Sequence, residues 1–445
     1  MKENVLSKYN HFKTIGHTVV GVNLQQQILF AIDDDKYKLL LDNEDDIDEL
    51  KTVNTPFYNA MWKLGVIRDA NTDNEFYRNA LLARRLLVFR DPSFRLTINP
   101  TLNCNFSCWY CYETHTTQHM KNEVLNNVMK FIENQVKRHD ITTFELDWFG
   151  GEPLLCYENV IKTISSFANE VCKKENVRLI SGITTNGYLI SSKMLPFFKE
   201  VNMQSFQITL DGQKTLHDTI RYTKDKQGSY DKIVENITLL ARELNPQFLT
   251  LRINYTSESF EDIFEIASSF PEDVRPKIKV LLQQVWQDKE SNRITAGNVE
   301  NLKTQFENAG FQVEKEIFNC SGRNTCYADL LNQAVINYDG RVFKCTAINF
   351  AKETEDGVLN DEGNILWGHS LAKKIATTTF ENAHCADCKY LPIFFGPCSK
   401  KTSFLIDGDD FRKYCHKEGI EESLDYVMSE FEKTDKSITS LLEYR

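Results

Sequence analysis

The chain has 445 residues and a formal charge of 52 − 63 = −11, with 41% apolar and 26% charged residues. That is the composition of an ordinary folded protein of two or three domains, and it excludes a single small domain, a disordered chain and a nucleic-acid binder as the leading readings. No apolar run approaches the ~18 residues of a membrane span, and the start MKENVLSKYN lacks the apolar stretch of a secretory signal, so no membrane role is expected and a cytoplasmic location is.

In chain order, the first 90 or so residues carry two alternating runs, His17 to Val22 and Gln26 to Ile32. Helical patterns follow at Asp34 to Leu41, Pro56 to Leu64 and Asn74 to Leu87. A hairpin followed by helices suggests a small winged-helix-like domain over residues 1–90. Its hairpin edge either accepts an extended peptide as an added strand or is a packing appendage.

From Phe94 the pattern becomes six β-rich runs, Arg95 to Asn99, Phe144 to Phe149, Leu179 to Thr184, Ser205 to Leu210, Phe248 to Asn254 and Lys277 to Val285. Amphipathic stretches separate them, at Asn122 to Arg138, Asn159 to Lys174, Tyr230 to Arg242 and Phe260 to Ser269. Such alternation requires parallel strands with right-handed crossovers, and six units are too few to close an eight-stranded barrel. An open, partial (βα)6 barrel of the α/β class is expected over residues 91–290. In parallel barrels reactive groups gather where strands end, and the polar motifs fall there: Asn103 to Glu113 after the first strand, Gly150 to Pro153 after the second, Thr185 to Gly187 after the third and Asp211 to Arg221 after the fourth. Residues 291–430 read as a bridging helix, Gly297 to Asn308, and a cysteine-rich irregular region; an acidic amphipathic helix from about Glu418 is expected to end the chain, with 431–445 as a C-terminal helix.

Twelve cysteines are many for a chain without a secretory signal, where disulfides are rare, and their clustering argues for metal. Cys104, Cys108 and Cys111 form CNFSCWYC, a C-x3-C-x2-C triple expected by chance only about 0.01 times in such a chain. Three soft thiolates on a short loop suit a 4Fe-4S cluster with one iron left open; zinc with His115 as fourth ligand is the other reading. Cys156 and Cys172 stand apart and read as buried free thiols.

The triple, with Tyr110 just before its last cysteine, resembles the cluster motif of the radical S-adenosylmethionine (SAM) enzymes, whose partial barrel matches the strand count. The resemblance implies that SAM chelates the open iron through its amino and carboxylate groups and is split reductively to a 5′-deoxyadenosyl radical, which takes a hydrogen atom from substrate. Gly150, Gly151, Glu152 and Pro153 resemble the family's GGEP motif, implying a site for the SAM ammonium at the strand-end backbone and the acidic group. Thr185, Asn186 and Gly187 resemble the following stretch, which reaches the ribose and amino-acid portions of the cofactor; an ordinary turn is the alternative. SFQITLDGQKTLHDTIR resembles the fourth-strand segment of the peptide-modifying branch, with Gln207, Thr209 and Asp211 toward the mouth and His217 and Arg221 beyond. Arg221 either grips a carboxylate of cofactor or substrate or pairs with Asp211 or Asp218; Asp211 is also a candidate general base. Arg252 and Asn254 either face the barrel interior or are buried polar residues.

The C-terminal cysteines resemble the SPASM extension with its two auxiliary 4Fe-4S clusters. That resemblance assigns Cys385, Cys388, Cys398 and Cys415 to an outer cluster and Cys320, Cys326 and Cys345 to an inner one. Full ligation takes eight thiolates and seven are present; the position of the missing one is Thr402. Zinc on the four outer cysteines is the alternative. Asp339 and Gly340 make the turn of a hairpin closed by Cys345. Together these features imply maturation of a ribosomally made precursor peptide held by its leader, with an intramolecular cross-link (carbon–carbon, thioether or ether) as product and flavodoxin or ferredoxin as electron donor. Oxidation of a protein residue, as in anaerobic sulfatase maturases, and a non-catalytic electron carrier or peptide-binding scaffold are the alternatives.

Overall fold

The structure is a computed structural model and is described here for residues 3–288, 292–313, 326–369, 371, 379–402, 415, 417–434 and 437–440. The chain forms two compact units. The first gathers residues 3–89, Cys326 and the described residues from 379 onward; the second holds 90–313 and 327–371.

The first unit starts with β1 (Asn4–Leu6), followed by an antiparallel meander of β2 (Asn10–Ile15), β3 (Thr18–Asn23) and β4 (Ile28–Asp33), while β5 (Ile67–Asp69) pairs with β1. Asp33 caps the helix Asp34–Asp42 by accepting from Lys36 N, and Asn54 caps Thr55–Lys63, which has proline in its first turn. Because side chains alternate along a strand, β3 supplies both faces of the sheet. Val19 packs with Phe30, Ile32, Leu40 and Phe57 on one side. Val20 and Val22 pack on the other with Tyr390, Leu391, Leu424, Val427 and Phe431, from the far end of the chain. The sheet expected to belong to a domain of residues 1–90 is thus completed by chain beyond residue 379.

The second unit carries β6 (Ser93–Asn99), β7 (Thr143–Trp148), β8 (Arg178–Thr185), β9 (Met203–Leu210), β10 (Phe248–Tyr255) and β11 (Lys279–Gln284), adjacent in that order and all parallel. The short β12 (Gln312–Val313) adds beside β11, and β13 (Gln333–Asn337) adds in parallel beside β6. β14 (Arg341–Phe343), β15 (Gly357–Leu359) and β16 (Ile365–Trp367) extend that flank antiparallel. β6 and β11 do not pair, so the barrel is open, and all six expected strands lie within a few residues of their expected places. The apolar face of each strand meets the crossover helices: Phe94, Leu96 and Ile98 of β6 join Phe144, Leu146 and Trp148 of β7 and Val128, Phe131 and Ile132 of the helix Asn122–Val136. Strand-edge residues of opposite parity, Arg95, Thr97 and Glu145 among them, are only half-buried. The stretch expected as a helix from Phe260 is instead a run of 3-10 turns, Ile263–Ser269, cut short ahead of Pro271.

The helix expected from about Glu418 is present as Lys417–Glu432, but the expectation of helix over 431–445 is corrected: beyond Glu432 the described residues form β17 (Ile438–Ser440), antiparallel to β4. The sequence Ser437-Ile-Thr-Ser has the β-branched residues of a strand and no helical periodicity. Among the described residues no helix is long and apolar enough to cross a membrane.

Candidate active site

The loops after β6, β7 and β8 meet at one cleft, open at its mouth, with a cavity volume of about 180 Å³. Cys104, Cys108 and Cys111 all line it, together with Tyr110, Gly150, Gly151, Thr185, Asn186, Gln207, Thr209, Arg221, Arg252 and Asn254. Cys104 and Asn254, 150 positions apart in sequence, are thereby brought to one surface.

The glycines make this approach possible. Gly151 has φ +53°, and a Cβ there would stand 2.2 Å from the Asn103 carbonyl oxygen, against backbone that cannot yield. At Gly150, φ +79°, a Cβ would stand 2.7 Å from the Asn99 side chain. Closing that gap lets Glu152 N donate to Asn103 O at 2.8 Å and Gly151 N donate to the Glu113 carboxylate at 2.8 Å, so the second strand-end loop grips both ends of the cysteine loop.

Glu152 binds the third loop. Its carboxylate, fully buried, accepts from Leu154 N at 3.0 Å, Thr185 Oγ1 at 2.7 Å and Asn186 N at 2.8 Å. Burial pushes its pKa up while the three donors pull it down. Glu152 and Pro153 do not line the cleft; the Glu152 oxygens are used in joining loops. Asn186 Nδ2 then reaches back to Asn105 Oδ1 at 2.7 Å and lies 3.9 Å from Cys104 Sγ, which also accepts from Phe106 N at 3.4 Å.

A second network lies under the cysteine loop. Tyr110 Oη donates to Asp211 Oδ2 at 2.5 Å and accepts from Arg221 Nη1 at 2.9 Å and Asn254 Nδ2 at 3.0 Å. Arg252 Nε donates to Asn254 Oδ1 at 2.9 Å, and Arg221 stacks over Phe106 with 5.7 Å to the ring centre. Arg221 thus reaches Asp211 through the Tyr110 hydroxyl, and Asp218, the other expected partner, instead accepts from Ser229 N and Tyr230 N at the start of a helix. Asp211 lies behind Tyr110, out of the cleft lining, with Oδ1 lacking a partner among the described residues. Burial pushes its carboxyl up, against the pull of Arg221 and the Tyr110 hydroxyl. His217, also buried, accepts from Asp211 N at Nδ1 (3.2 Å) and contacts Ser229 Oγ at Nε2 (2.9 Å); since Ser229 gives its own hydrogen to Arg221 O, Nε2 carries the imidazole proton.

Sequence reading did not single out Glu113, whose carboxyl burial pushes up to about 7, nor Trp286 and Gln287. Trp286 stacks on Tyr112 with ring centres 5.2 Å apart, and Gln287 Nε2 donates to Tyr110 O at 2.6 Å. Their only signal is position, Glu113 two residues beyond the last cysteine of the triple and the other pair just past β11.

The donor set fits a 4Fe-4S cluster. Burial pushes the Cys104 thiol up to about 12 and Cys111 up to about 11, so the bare sulfurs hold their protons and only a strongly electropositive partner draws out three thiolates. Among the described residues no three His, Cys, Asp or Glu side chains converge on a single-ion site, whereas a cubane takes its thiolates at separate irons. His115 Nδ1 contacts Leu102 O at 2.9 Å.

Of the other cysteines, Cys320 lies outside the described residues. Cys345 is half-buried beside Val335, Phe343 and Phe350, and Ala347 N donates to its sulfur at 3.3 Å; its loop bonds the cysteine loop through Tyr112 Oη to Thr346 O, 3.1 Å. Cys326 is exposed. In the first unit Asn382 caps the turn that carries Cys385 and Cys388, and burial, with the nearby Cys388 and Cys415, pushes Cys385 up to about 11. Cys398 is exposed; the Thr402 hydroxyl donates to Ser399 O at 3.1 Å. Cys156 and Cys172 are buried.

The open parallel barrel presents three cysteines on its first loop, beside a glycine turn. Residues 98–268 match the Radical SAM superfamily, and the chain carries a radical SAM domain there. The family uses a 4Fe-4S cluster and SAM. The chain is 30% identical over 183 residues to a cysteine-type anaerobic sulfatase-maturating enzyme of Clostridium novyi (39% of this chain, 47% of that one) and 23% identical over 186 residues to the radical SAM cyclopropyl synthase TigE of Paramaledivibacter caminithermalis (38% and 37%). It therefore spans about half the length, or less, of these relatives. The fold is similar to that of anSMEcpe with bound AdoMet, TM-score 0.57 and 17% identity over 76% of this chain and 97% of that one, and of anSMEcpe with AdoMet and the Cp18Cys peptide, TM-score 0.56, over 76% and 98%.

Proposed function

We propose that the protein is a radical SAM peptide maturase which takes a hydrogen atom from a ribosomally made precursor and closes an intramolecular cross-link. The observation that carries this reading is the convergence of Cys104, Cys108 and Cys111 with the Gly150–Gly151 turn and Asn186 on one cleft. When bound, the cluster and SAM supply the hydrogen-abstracting radical. Gly150 and Gly151 let the strand-end backbone approach the cofactor; Thr185, Asn186, Gln207 and Thr209 offer it side-chain polar atoms; Tyr110, fixed from below by Asp211, Arg221 and Asn254, holds the cysteine loop in register. Glu152 acts here through the loops it joins, and Asp211 through Tyr110.

Cross-linking removes two hydrogens from the peptide, one as an atom and one as a proton with an electron left over. Cys320, Cys326 and Cys345, and Cys385, Cys388, Cys398 and Cys415, would hold auxiliary clusters able to accept that electron. The first unit, with its β-meander, is the part proposed to hold the leader. A second reading, oxidation of a residue in a protein substrate, is favoured by the similarity to the C. novyi sulfatase-maturating enzyme. The test is anaerobic reaction of the reconstituted, reduced protein with SAM and a short peptide encoded beside it. 5′-Deoxyadenosine formation with a peptide lighter by two hydrogens, whose linked residues stay together on fragmentation, supports cross-linking; an unlinked oxidised residue supports the second reading. Replacing the three loop cysteines by alanine removes cofactor cleavage in either case.

A further inference from the structure

The sheet of the first unit has an edge that a peptide would use, and the chain itself occupies it. β17 lies along the outer edge of β4 with Ile438, Thr439 and Ser440 opposite Phe30, Leu29 and Ile28, and Ala31 N donates to Ser437 O at 3.0 Å. Strand addition to a sheet edge takes its affinity from such main-chain bonds and its specificity from alternate side chains.

The occupant fits poorly. Ile438 leaves its apolar side chain 55% exposed. Thr439 is only 6% exposed, yet its hydroxyl has no hydrogen-bond partner among the described residues. It stands opposite Leu29, and directly opposed residues share a face, here the face that packs with Leu424, Val427 and Phe431. An apolar side chain belongs at that place. Three paired residues and one stranded hydroxyl make a strand that another can replace.

We propose that the outer edge of β4 is a docking site for an extended peptide carrying an apolar residue opposite Leu29, and that residues 437–440 are an internal strand that holds the edge until such a peptide displaces it. The proposal rests on the peptide-maturase reading for the identity of the natural occupant, but the competition is a property of the sheet alone.

The probe is a fluorescent peptide reproducing residues 434–445. It is expected to bind the chain lacking residues 435–445 at least tenfold more tightly than the full chain, where the internal copy competes. The Thr439→Val form of the probe should bind the truncated chain about tenfold more tightly again, because it buries no unpaired hydroxyl. In the full chain Thr439→Val should weaken binding of the added probe about tenfold. Hydrogen exchange on the unmodified full chain gives a second measurement: the Ala31 amide should exchange at least about tenfold faster than β3 amides. Equal probe binding by truncated and full chains, or an Ala31 amide as protected as those of β3, overturns the proposal. A precursor that is modified but whose affinity is unmoved by the truncation also overturns it while leaving the maturase reading intact; probe competition without modification of any neighbouring peptide does the reverse.

Discussion

Glu152→Gln separates two roles that one residue could have. As a direct ligand of the SAM ammonium, Glu152 would matter only when cofactor is present. As placed here, its carboxylate accepts hydrogen bonds from Leu154 N, Thr185 Oγ1 and Asn186 N inside a site closed to solvent. Glutamine preserves the volume but turns one oxygen into a donor, which must face a backbone N–H of residue 154 or 186. One hydrogen bond to a charged acceptor is lost, about 1.5–3 kcal/mol, and one buried N–H is left without an acceptor, about 1–3 kcal/mol. A loss of about 2.5–6 kcal/mol follows, a large share of the ~5–15 kcal/mol that holds a domain together. At ~2–4 °C per kcal/mol for a unit of this size, the apo protein should melt roughly 5–24 °C lower. The assay is urea and thermal unfolding of cofactor-free protein beside SAM affinity of the reconstituted protein. A variant that unfolds like wild type but no longer binds SAM refutes the loop-joining role and restores the ligand role.

The remaining expectations concern the same loops. Gly151→Ala forces a methyl group to within 2.2 Å of the Asn103 carbonyl at a positive φ, so the reconstituted variant should retain well under half of the wild-type loop-cluster iron, read by iron analysis and by the reduced-cluster spectrum. Tyr110→Phe removes the acceptor of Arg221 and Asn254 and the donor to Asp211, and should cost about 2–4 kcal/mol in urea unfolding without creating a cavity; a change below about 0.5 kcal/mol would contradict the network. For His217 the folded pKa is held well below 6.5 by burial, then by Arg221. The unfolded chain therefore binds the extra proton, so the imidazole's contribution is complete above about pH 6.5 and is lost as pH falls, at up to about 1.4 kcal/mol per pH unit. Urea unfolding at several values between pH 7.5 and 5 should show that slope, and His217→Gln should lack it.

Periodicity revealed the barrel because each of its strands is apolar on the face that meets a helix, as in Phe94, Leu96 and Ile98, and stops at a loop of polar residues. It missed β2, whose Asn10-His-Phe-Lys-Thr-Ile is half-buried apart from the exposed Thr14 and has only one core-like residue at each alternate place. The division at residue 90 was legible as a change of pattern, but not the return of residues 379–434 to the same core, because the partners of Val20 and Val22 are some 370 to 410 positions away and no local signal marks them. In the site, the cysteines and glycines were legible since their spacing alone encodes a loop and a tight approach. The carboxylates were not: nothing in GGEP says whether Glu152 turns to ligand or to backbone, and nothing in LDG says that Asp211 is hidden behind Tyr110.

That difference has a physical origin. A sulfur ligand must face the cleft, so its position in sequence carries its role. A buried carboxylate must collect donors from wherever the chain supplies them, and at the end of a parallel strand the nearest are backbone N–H groups of the neighbouring loops. Glu152 collects the N–H groups of Leu154 and Asn186 and the Thr185 hydroxyl, and in doing so ties the β7 loop to the β8 loop; Gly151 and Glu113 tie the β7 loop to the β6 loop; Asn186 closes the circuit at Asn105, beside Cys104. Each loop is then held by the other two, so the three sulfurs are placed by protein contacts alone, and a change at any one tie should be felt at all of them. Double-mutant combinations within the circuit, such as Glu152→Gln with Asn186→Ala, should accordingly cost less than the sum of their single effects, by about 0.5–3 kcal/mol, whereas either change combined with Tyr110→Phe in the lower network should come closer to additive.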